Sequence, residues 1–294
     1  MITKEEFIEL IKYDYPDCYQ DIIDGLYKPK MKTFRINNLL SSKEEINKWL
    51  DDNNINYEIS DIYDNAYIIP SDYNIYDTDL VKSGKIYLQS ISSQIPPLCM
   101  DLDNAYDILD MCAAPGGKTS LIADLTNNSK TIMACESNKI RAEKLKHNMD
   151  LLNVKCNILV TDSKKLDSFF RFDTILLDAP CSGSGTINLN NEKELNNFSK
   201  LLVKNSADTQ KKLLKKAIEI LKPGKSMIYS TCSILKAENE EVLKTVLNKN
   251  IVIEKININI KNEDLLPSKI DGVLTIKPSE KFEGFFVAKI KKLK

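Results

Sequence analysis

The chain has 294 residues, 43% hydrophobic and 28% charged, with 9 Gly and 10 Pro, a globular composition that excludes a fibre or a long disordered chain and allows about two domains. Lys and Arg number 41 against 42 Asp and Glu, a formal net charge of −1, so no whole-molecule field marks a polyanionic partner and any such partner needs a local basic face. No apolar run is long enough to span a membrane, and residues 1–9 carry acid where a signal peptide carries base, so the sequence reads as soluble and cytoplasmic.

Residues 1–100 lack a sustained strand-helix alternation and read as an accessory α+β region, with helical patterns over residues 2–13 and 43–50. A different rhythm begins near residue 101 and divides the chain into 1–100 and 101–294. Strands are predicted over residues 105–111, 131–135, 157–160, 174–177, 226–230 and 284–290. Helices are predicted over 118–125, 138–152, 206–221 and 237–247, with Pro223 and Gly224 stopping the third. Strands alternating with helices of this length imply a mostly parallel sheet covered on both faces, an α/β fold. The stretch 183–205 is polar, rich in Asn and too long for an ordinary βα turn, which marks it as a site cover or a disordered segment.

Ligands of such open sheets bind beyond the carboxyl ends of the strands, so the informative residues follow each strand. After the first comes MCAAPGGKTS, Met111 to Ser120. Its Ala, Pro and Gly residues permit a tight turn against a helix N-terminus, where free N–H groups hold an anion or carboxylate. Gly117, Lys118 and Thr119 match the end of a phosphate-binding loop, but Cys112 stands where that motif requires its first glycine. After the second strand, Glu136 is placed to accept from ribose hydroxyls. After the third, Asp162 is placed to accept from an adenine amino group. One carboxylate-holding turn and two acids suit a nucleoside with an amino-acid tail, S-adenosyl-L-methionine.

The fourth strand ends in DAPCSGSG (178–185) and the fifth in STCS (230–233), which brings Cys181 and Cys232 to neighbouring strand ends. The seven cysteines, at 18, 99, 112, 135, 156, 181 and 232, are odd in number and none lies within three residues of another. That spacing argues against a disulfide framework or a zinc ribbon and for reduced thiols, with no metal site. The single histidine, His147, sits on a predicted exposed helix face. A methyl donor beside a thiol suits carbon 5 of cytosine. Addition of a thiolate to carbon 6 makes the ring enamine-like, and Asp178 is placed for a carboxyl group beside ring nitrogen 3. Methylation of an exocyclic amine needs no thiol.

MCAAPGGKT, the Glu136 to Asn148 stretch with Arg141, Asp162, DAPCSGSGT, LKPGKSMIYSTCSI with the following ENEEV, and the closing EGFFVAKI resemble the RNA cytosine-5 methyltransferases of the RsmB/RsmF and Nop/Sun type. TFRINNL (33–39) and GKIYLQSISSQIPP (84–97) extend the likeness over residues 33 to 290. The resemblance implies a class I, Rossmann-like catalytic domain with a mostly parallel seven-stranded sheet and a small RNA-facing N-terminal α+β domain. It implies that Cys232 attacks carbon 6 and that Cys181 assists release, whereas the DNA enzymes would assign the attack to Cys181. It implies that Asp178 touches cofactor and base and that Lys118 lies near the base. Cys112, Ala113, Ala114, Pro115, Gly116, Gly117 and Lys118 would hold the methionine part of the cofactor, with Arg141 beside Glu136 and Asp162. The chain departs from the pattern where Lys225 and Ser226 follow Gly224, and where Ser90 stands in place of a frequent Asp.

For an RNA partner, ribosomal or transfer, Lys28, Lys30, Lys32 and Arg35 with Tyr27 and Phe34 interleaved form a candidate grip. Lys211, Lys212, Lys215 and Lys216 read as a solvated helix face. Two other readings stay open: a phosphate-loop hydrolase, against which Cys112 argues, and a non-catalytic RNA-binding factor, against which the intact Cys181, Cys232 and Asp178 argue. The oligomeric state is not legible, and a monomer is compatible with the sequence.

Overall fold

The computed structural model describes residues 2–294. The chain opens with α1 (Lys4–Asp14) and α2 (Tyr19–Tyr27). A reciprocal capping box starts α1: the Thr3 hydroxyl accepts from the Glu6 N–H, and the Glu6 carboxylate accepts from the Thr3 N–H, satisfying donors that a helix start leaves over. Then come β1 (Lys32–Ile36), α3 (Lys43–Asp52), β2 (Glu58–Ile59), β3 (Ala66–Ile69), α4 (Asp79–Lys82) and β4 (Ile86–Leu88). These four strands form an antiparallel sheet in the order β2-β3-β1-β4.

After α5 (Ile91–Leu98) the chain builds the larger layer: β5 (Asp107–Asp110), α6 (Gly117–Leu125), β6 (Thr131–Glu136), α7 (Lys139–Leu151), β7 (Asn157–Val160) and β8 (Phe172–Asp178). It continues with α8 (Glu192–Leu195), α9 (Lys200–Ile220), β9 (Leu221–Thr231), α10 (Glu240–Lys244), β10 (Ile251–Glu254), β11 (Leu274–Ile276) and β12 (Phe285–Lys292). The strands run β7-β6-β5-β8-β9-β12-β10, with β11 paired to β12. Strands β5 to β9 are mutually parallel; β12 lies antiparallel to β9 and β10. The expected seven-stranded sheet is therefore present, with β11 as an added short strand. Because β6 and β7 extend to one side of β5 and β8 and β9 to the other, strand order reverses between β5 and β8, where such sheets bind ligands. β8 is buried from Phe172 to Leu177 and surfaces only at Asp178, as a central strand covered on both faces should.

Most predicted elements are in place, and the differences have local causes. The helix expected over 237–247 is cut to α10 because Asn239 leaves helical geometry (φ −120°, ψ −92°). Its side chain instead accepts from the Thr231 hydroxyl and donates to the Ser233 carbonyl. The connection 183–205 is not a free loop. Its Ile187, Leu189, Leu195 and Phe198 pack with Phe7, Ile11, Ile22 and Leu26 of α1 and α2, and with Ile234 and Leu235. The Tyr15 hydroxyl donates to the Ile234 carbonyl, and Asp14 accepts from the Lys236 N–H. Residues 1–100 thus do not share one core. α1 and α2 pack beside the loop after β9, α5 packs on the large sheet through Ile95, and the small sheet closes its own cluster around Phe34, Ile36 and Tyr67.

The candidate RNA grip is corrected by the same packing. Arg35 and Phe34 are fully buried: Phe34 stacks on Tyr67, and Arg35 donates to Gln89 and Ser120 and faces Asp124 at 3.8 Å. Lys30 donates to the carbonyls of Gly25, Ser279 and Phe282, and burial lowers its ammonium to about 8. β1 is buried from Phe34 to Ile36, so Phe34 and Arg35 serve the core, whereas Lys28 is exposed and Lys32 half-buried. On α9, Lys211 and Lys216 pair with Asp208 and Glu219 along the helix, as a solvated face does. Among the described residues, no helix is long and apolar enough to cross a membrane.

Candidate active site

The site forms where β5, β6, β8 and β9 end. The first turn carries Ala113, Ala114 and Pro115, with a cis bond between the last two. Gly116 then begins α6 at φ +110°, without a side-chain cap. A Cβ at Gly116 would come within 2.5 Å of Met149 Cε and 2.9 Å of Leu145 Cδ1. Glycine is therefore favoured by its left-handed backbone angle, while the Met149 and Leu145 side-chain tips could shift to admit a Cβ. On the far side, Gly185 meets Gly284 so closely that a Cβ would lie 2.0 Å from the Gly284 carbonyl oxygen. The Gly284 N–H donates to the Gly185 carbonyl, and the Gly185 N–H donates to the Cys232 carbonyl. The DAPCSGSG, STCS and EGFF strings thus meet at one backbone crossing.

Two cavities open there. One, of about 340 Å³, is lined by Met111, Glu136, Arg141, Asp162, Pro180 and Leu213 among others. Its neighbour, of about 350 Å³, is lined by Gln89, Ser93, Pro115, Gly117, Lys118 and Phe285 among others. Cys112, Ala114, Asp178 and Cys232 line both, so the cavities meet at that wall. Ala113 lines the second cavity, Cys181 the first, and Gly116 neither.

In the first cavity Glu136 is buried, accepts from the Asn138 N–H at 2.9 Å and faces Arg141 Nη1 at 3.4 Å. Arg141 also donates to the Ala114 carbonyl at 2.8 Å, tying the second strand end to the first turn. Asp162 is half-buried and accepts from the Lys164 N–H. Beneath the wall, Asp110 is buried and accepts from Thr119 and from the Cys112 N–H; burial pushes its carboxyl up to about 6. Burial also pushes the Cys112 thiol well up, which suits packing rather than attack.

In the second cavity Lys118 Nζ donates to Asp178 at 2.7 Å and to Ser93 at 2.8 Å. Asp178 also accepts from the Ser230 hydroxyl at 2.7 Å. Burial works against the Lys118 charge, yet Asp178, then Cys232 and Asp110, hold the ammonium above the usual lysine range. Cys181 and Cys232 are free thiols, and their sulfurs lie 3.1 Å apart. The hydrogen bond to Cys232, then burial, raises the Cys181 thiol well above its ordinary range. Such a wall presents Cys232 to both cavities, with Cys181 beside it on the first and a fixed cation and a carboxylate at hand. It can hold a flat polar ring against a nucleophile while a second ligand lies alongside.

The structure thus brings together Lys118, Asp178, Cys181 and Cys232, and separately Glu136, Arg141 and Asp162. His147 is exposed on α7. Glu238, behind both cysteine loops, opens the ENEEV string, and nothing else local marks it. Ser90, in place of the frequent Asp, still caps α5 by accepting from the Ser93 N–H, so the exchange keeps the cap. Among the described residues, no group of three or more His, Cys, Asp or Glu is arranged to hold a metal ion.

Residues 97–291 match the family described as 16S rRNA methyltransferase RsmB/F. The chain is 32% identical over 307 aligned positions to "Ribosomal RNA small subunit methyltransferase F" of Shewanella piezotolerans, covering 98% of this chain and 64% of that one. It is 33% identical to the protein of the same name from Vibrio parahaemolyticus, covering 93% and 59%. The chain therefore spans about 64% and 59% of the length of these two relatives. A crystal structure titled as a methyltransferase homolog protein from Pyrococcus horikoshii superposes with a TM-score of 0.85 at 29% identity, covering 99% of this chain and 96% of that one. The fold is the class I methyltransferase fold.

Proposed function

The chain belongs to the 16S rRNA methyltransferase RsmB/F family, and from that premise we propose that it methylates carbon 5 of a cytosine in small-subunit ribosomal RNA, with S-adenosylmethionine as donor and Cys232 as nucleophile. The observation that carries the reading is the shared wall of the two cavities, with Cys232 and Asp178 facing both.

The first cavity fits the cofactor. It joins two carboxylates, which suit ribose hydroxyl and adenine amino donors, to apolar Met111, Pro180 and Leu213; across the shared wall the uncapped start of α6 lines the second cavity, the kind of terminus that takes a carboxylate. Glu136 and Asp162 would hold the nucleoside, Arg141 would orient Glu136, and the Cys112 to Lys118 turn would hold the amino-acid end. When bound, S-adenosylmethionine supplies an electrophilic methyl group.

In the second cavity, the target cytosine must leave any stack to reach the thiol. Cys232 adds as thiolate to carbon 6, and the electron density moved toward carbon 5 and ring nitrogen 3 makes carbon 5 nucleophilic. The Lys118–Asp178 pair supports that charge shift with a fixed ammonium and a carboxyl group at the ring edge. Once carbon 5 carries the methyl group, loss of its proton to a base restores the ring as the carbon–sulfur bond breaks. The 3.1 Å approach of Cys181 supports giving it a part in that release.

Changing the cysteines singly tests this reading with unmodified small-subunit ribosomal RNA and the cofactor. Cys181→Ala should accumulate an RNA adduct that survives SDS, and Cys232→Ala should form neither adduct nor product. An adduct carried by Cys181 in the Cys232→Ala protein would reverse the two roles.

A further inference from the structure

Cys181 and Cys232 lie on different loops, after β8 and β9, so the 3.1 Å between their sulfurs needs a tie between those loops. The loops cross through the Gly185 N–H to Cys232 carbonyl bond, the Ser184–Ser233 hydroxyl pair at 2.8 Å and the Ile234 N–H to Ser184 hydroxyl bond, and a single carboxylate ties the residues directly after both cysteines. Glu238 is fully buried and ends the 3₁₀ turn Lys236–Glu238. Its Oε1 accepts from the Ser182 N–H at 2.7 Å, and its Oε2 accepts from the Ser182 hydroxyl at 2.5 Å and the Ser233 hydroxyl at 2.6 Å. Ser182 and Ser233 are the residues directly after the two cysteines. The anchor is itself held: the Glu238 carbonyl accepts from the Tyr229 hydroxyl at 2.6 Å, and neighbouring Asn239 grips Thr231 and Ser233. Glu238 lines neither cavity.

A buried carboxylate is costly unless donors surround it, and all three donors here come from the two cysteine loops. Removing it would leave the Ser182 N–H and hydroxyl without their acceptor, while the Ser233 hydroxyl keeps Ser184, so the strain falls on the Ser182 side and is relieved by a shift of the segment that carries Cys181. We propose that Glu238 is a positioning residue for adduct release. By bridging Ser182 and Ser233 it holds the Cys181 thiol against Cys232, without touching RNA or cofactor. The proposal rests on the cysteine roles given above.

The test has one arm that needs no RNA. Phenylarsine oxide joins two adjacent thiols, forming two sulfur–arsenic bonds and releasing water, and peptide mass spectrometry identifies a Cys181–Cys232 bridge. Wild type should form that bridge. Glu238→Gln keeps an oxygen for the Ser182 N–H and turns its amide toward hydroxyls that can accept, so it should bridge like wild type. Glu238→Ala should bridge about tenfold more slowly or worse, given what small misplacements cost. With RNA and cofactor, Glu238→Ala should accumulate SDS-stable adduct as Cys181→Ala does, with unchanged cofactor affinity and rescue in Glu238→Gln. Ser182→Ala, which removes one hydroxyl and leaves the carboxylate, should fall between and serves if Glu238→Ala does not fold. Wild-type bridging and turnover in Glu238→Ala would overturn the proposal. If only the alanine variant loses bridging while wild type makes no 5-methylcytosine, the tie stands and the release role falls with the proposed function.

Discussion

Lys118 Nζ donates to Asp178 at 2.7 Å, joining the first turn of α6 to the last residue of β8 across the strand-order reversal. The pair is mostly shielded, with the Lys118 side chain 12% and the Asp178 side chain 27% exposed. It therefore puts a fixed cation and its partner carboxylate on the wall that both cavities use.

Lys118→Met should lower kcat by roughly 10²-fold, the usual cost of losing one preorganised charge at a reacting centre. Cofactor affinity measured by calorimetry should stay within about threefold, because the first cavity keeps its acids. A loss confined to cofactor binding would move Lys118 out of the chemistry.

Glu136→Ala should weaken cofactor binding by about 10- to 100-fold, since hydrogen bonds to a charged acceptor contribute about 1.5–3 kcal/mol. The Cys181–Cys232 arsenical bridge should be unaffected, because Glu136 lies on the far side of the first cavity. Unchanged affinity would remove Glu136 from the cofactor site.

Arg35→Met should act on stability rather than on RNA. Both Arg35 and Asp124 have no exposed side-chain surface, and removing one partner of a buried pair costs about 3–5 kcal/mol. Chemical denaturation should show that loss, while the salt dependence of RNA binding by the folded variant stays unchanged. A shallower salt slope with full stability would return Arg35 to the RNA-facing set.

Asp110 makes stability depend on pH. Burial, with Asp178 adding to it, raises its folded carboxyl to about 6, above the unfolded value near 3.9. A raised acid stabilises the fold most below about pH 4, and the contribution is lost as pH rises through about 6, by about 3 kcal/mol at most. Asp110→Asn does not titrate, so its stability relative to wild type should grow from pH 4 to pH 7 in urea unfolding. Parallel curves for the two proteins would contradict this.

Much of the site was legible because its residues directly follow strands. The Gly116–Gly117 turn, Glu136, Asp162, Asp178 and the two cysteines can be read once the alternation is seen; Pro223 and Gly224, expected to stop α9, lie instead within β9, past the helix end at Ile220. What escaped depends on burial across distant segments. Lys30 and Arg35 sit in a basic string, yet one ends among carbonyls and the other beside Asp124. The Asn-rich 183–205 stretch hid five apolar residues that pack in one cluster with α1 and α2, and no local pattern tells which surface they meet. Glu238 sat inside a string already quoted, but only the return of β9 past β8 gives that carboxylate both serines.

The wall shared by the two cavities is proposed to carry out cytosine-5 methylation of RNA. The most direct measurement incubates the purified protein with methyl-labelled S-adenosylmethionine and separate pools of unmodified ribosomal and transfer RNA, then identifies the labelled nucleoside by mass spectrometry. Labelled 5-methylcytosine in the small-subunit ribosomal pool, absent with Cys232→Ala, is the predicted result. Label on an exocyclic nitrogen or a ribose, or 5-methylcytosine made equally well by Cys232→Ala, would contradict it.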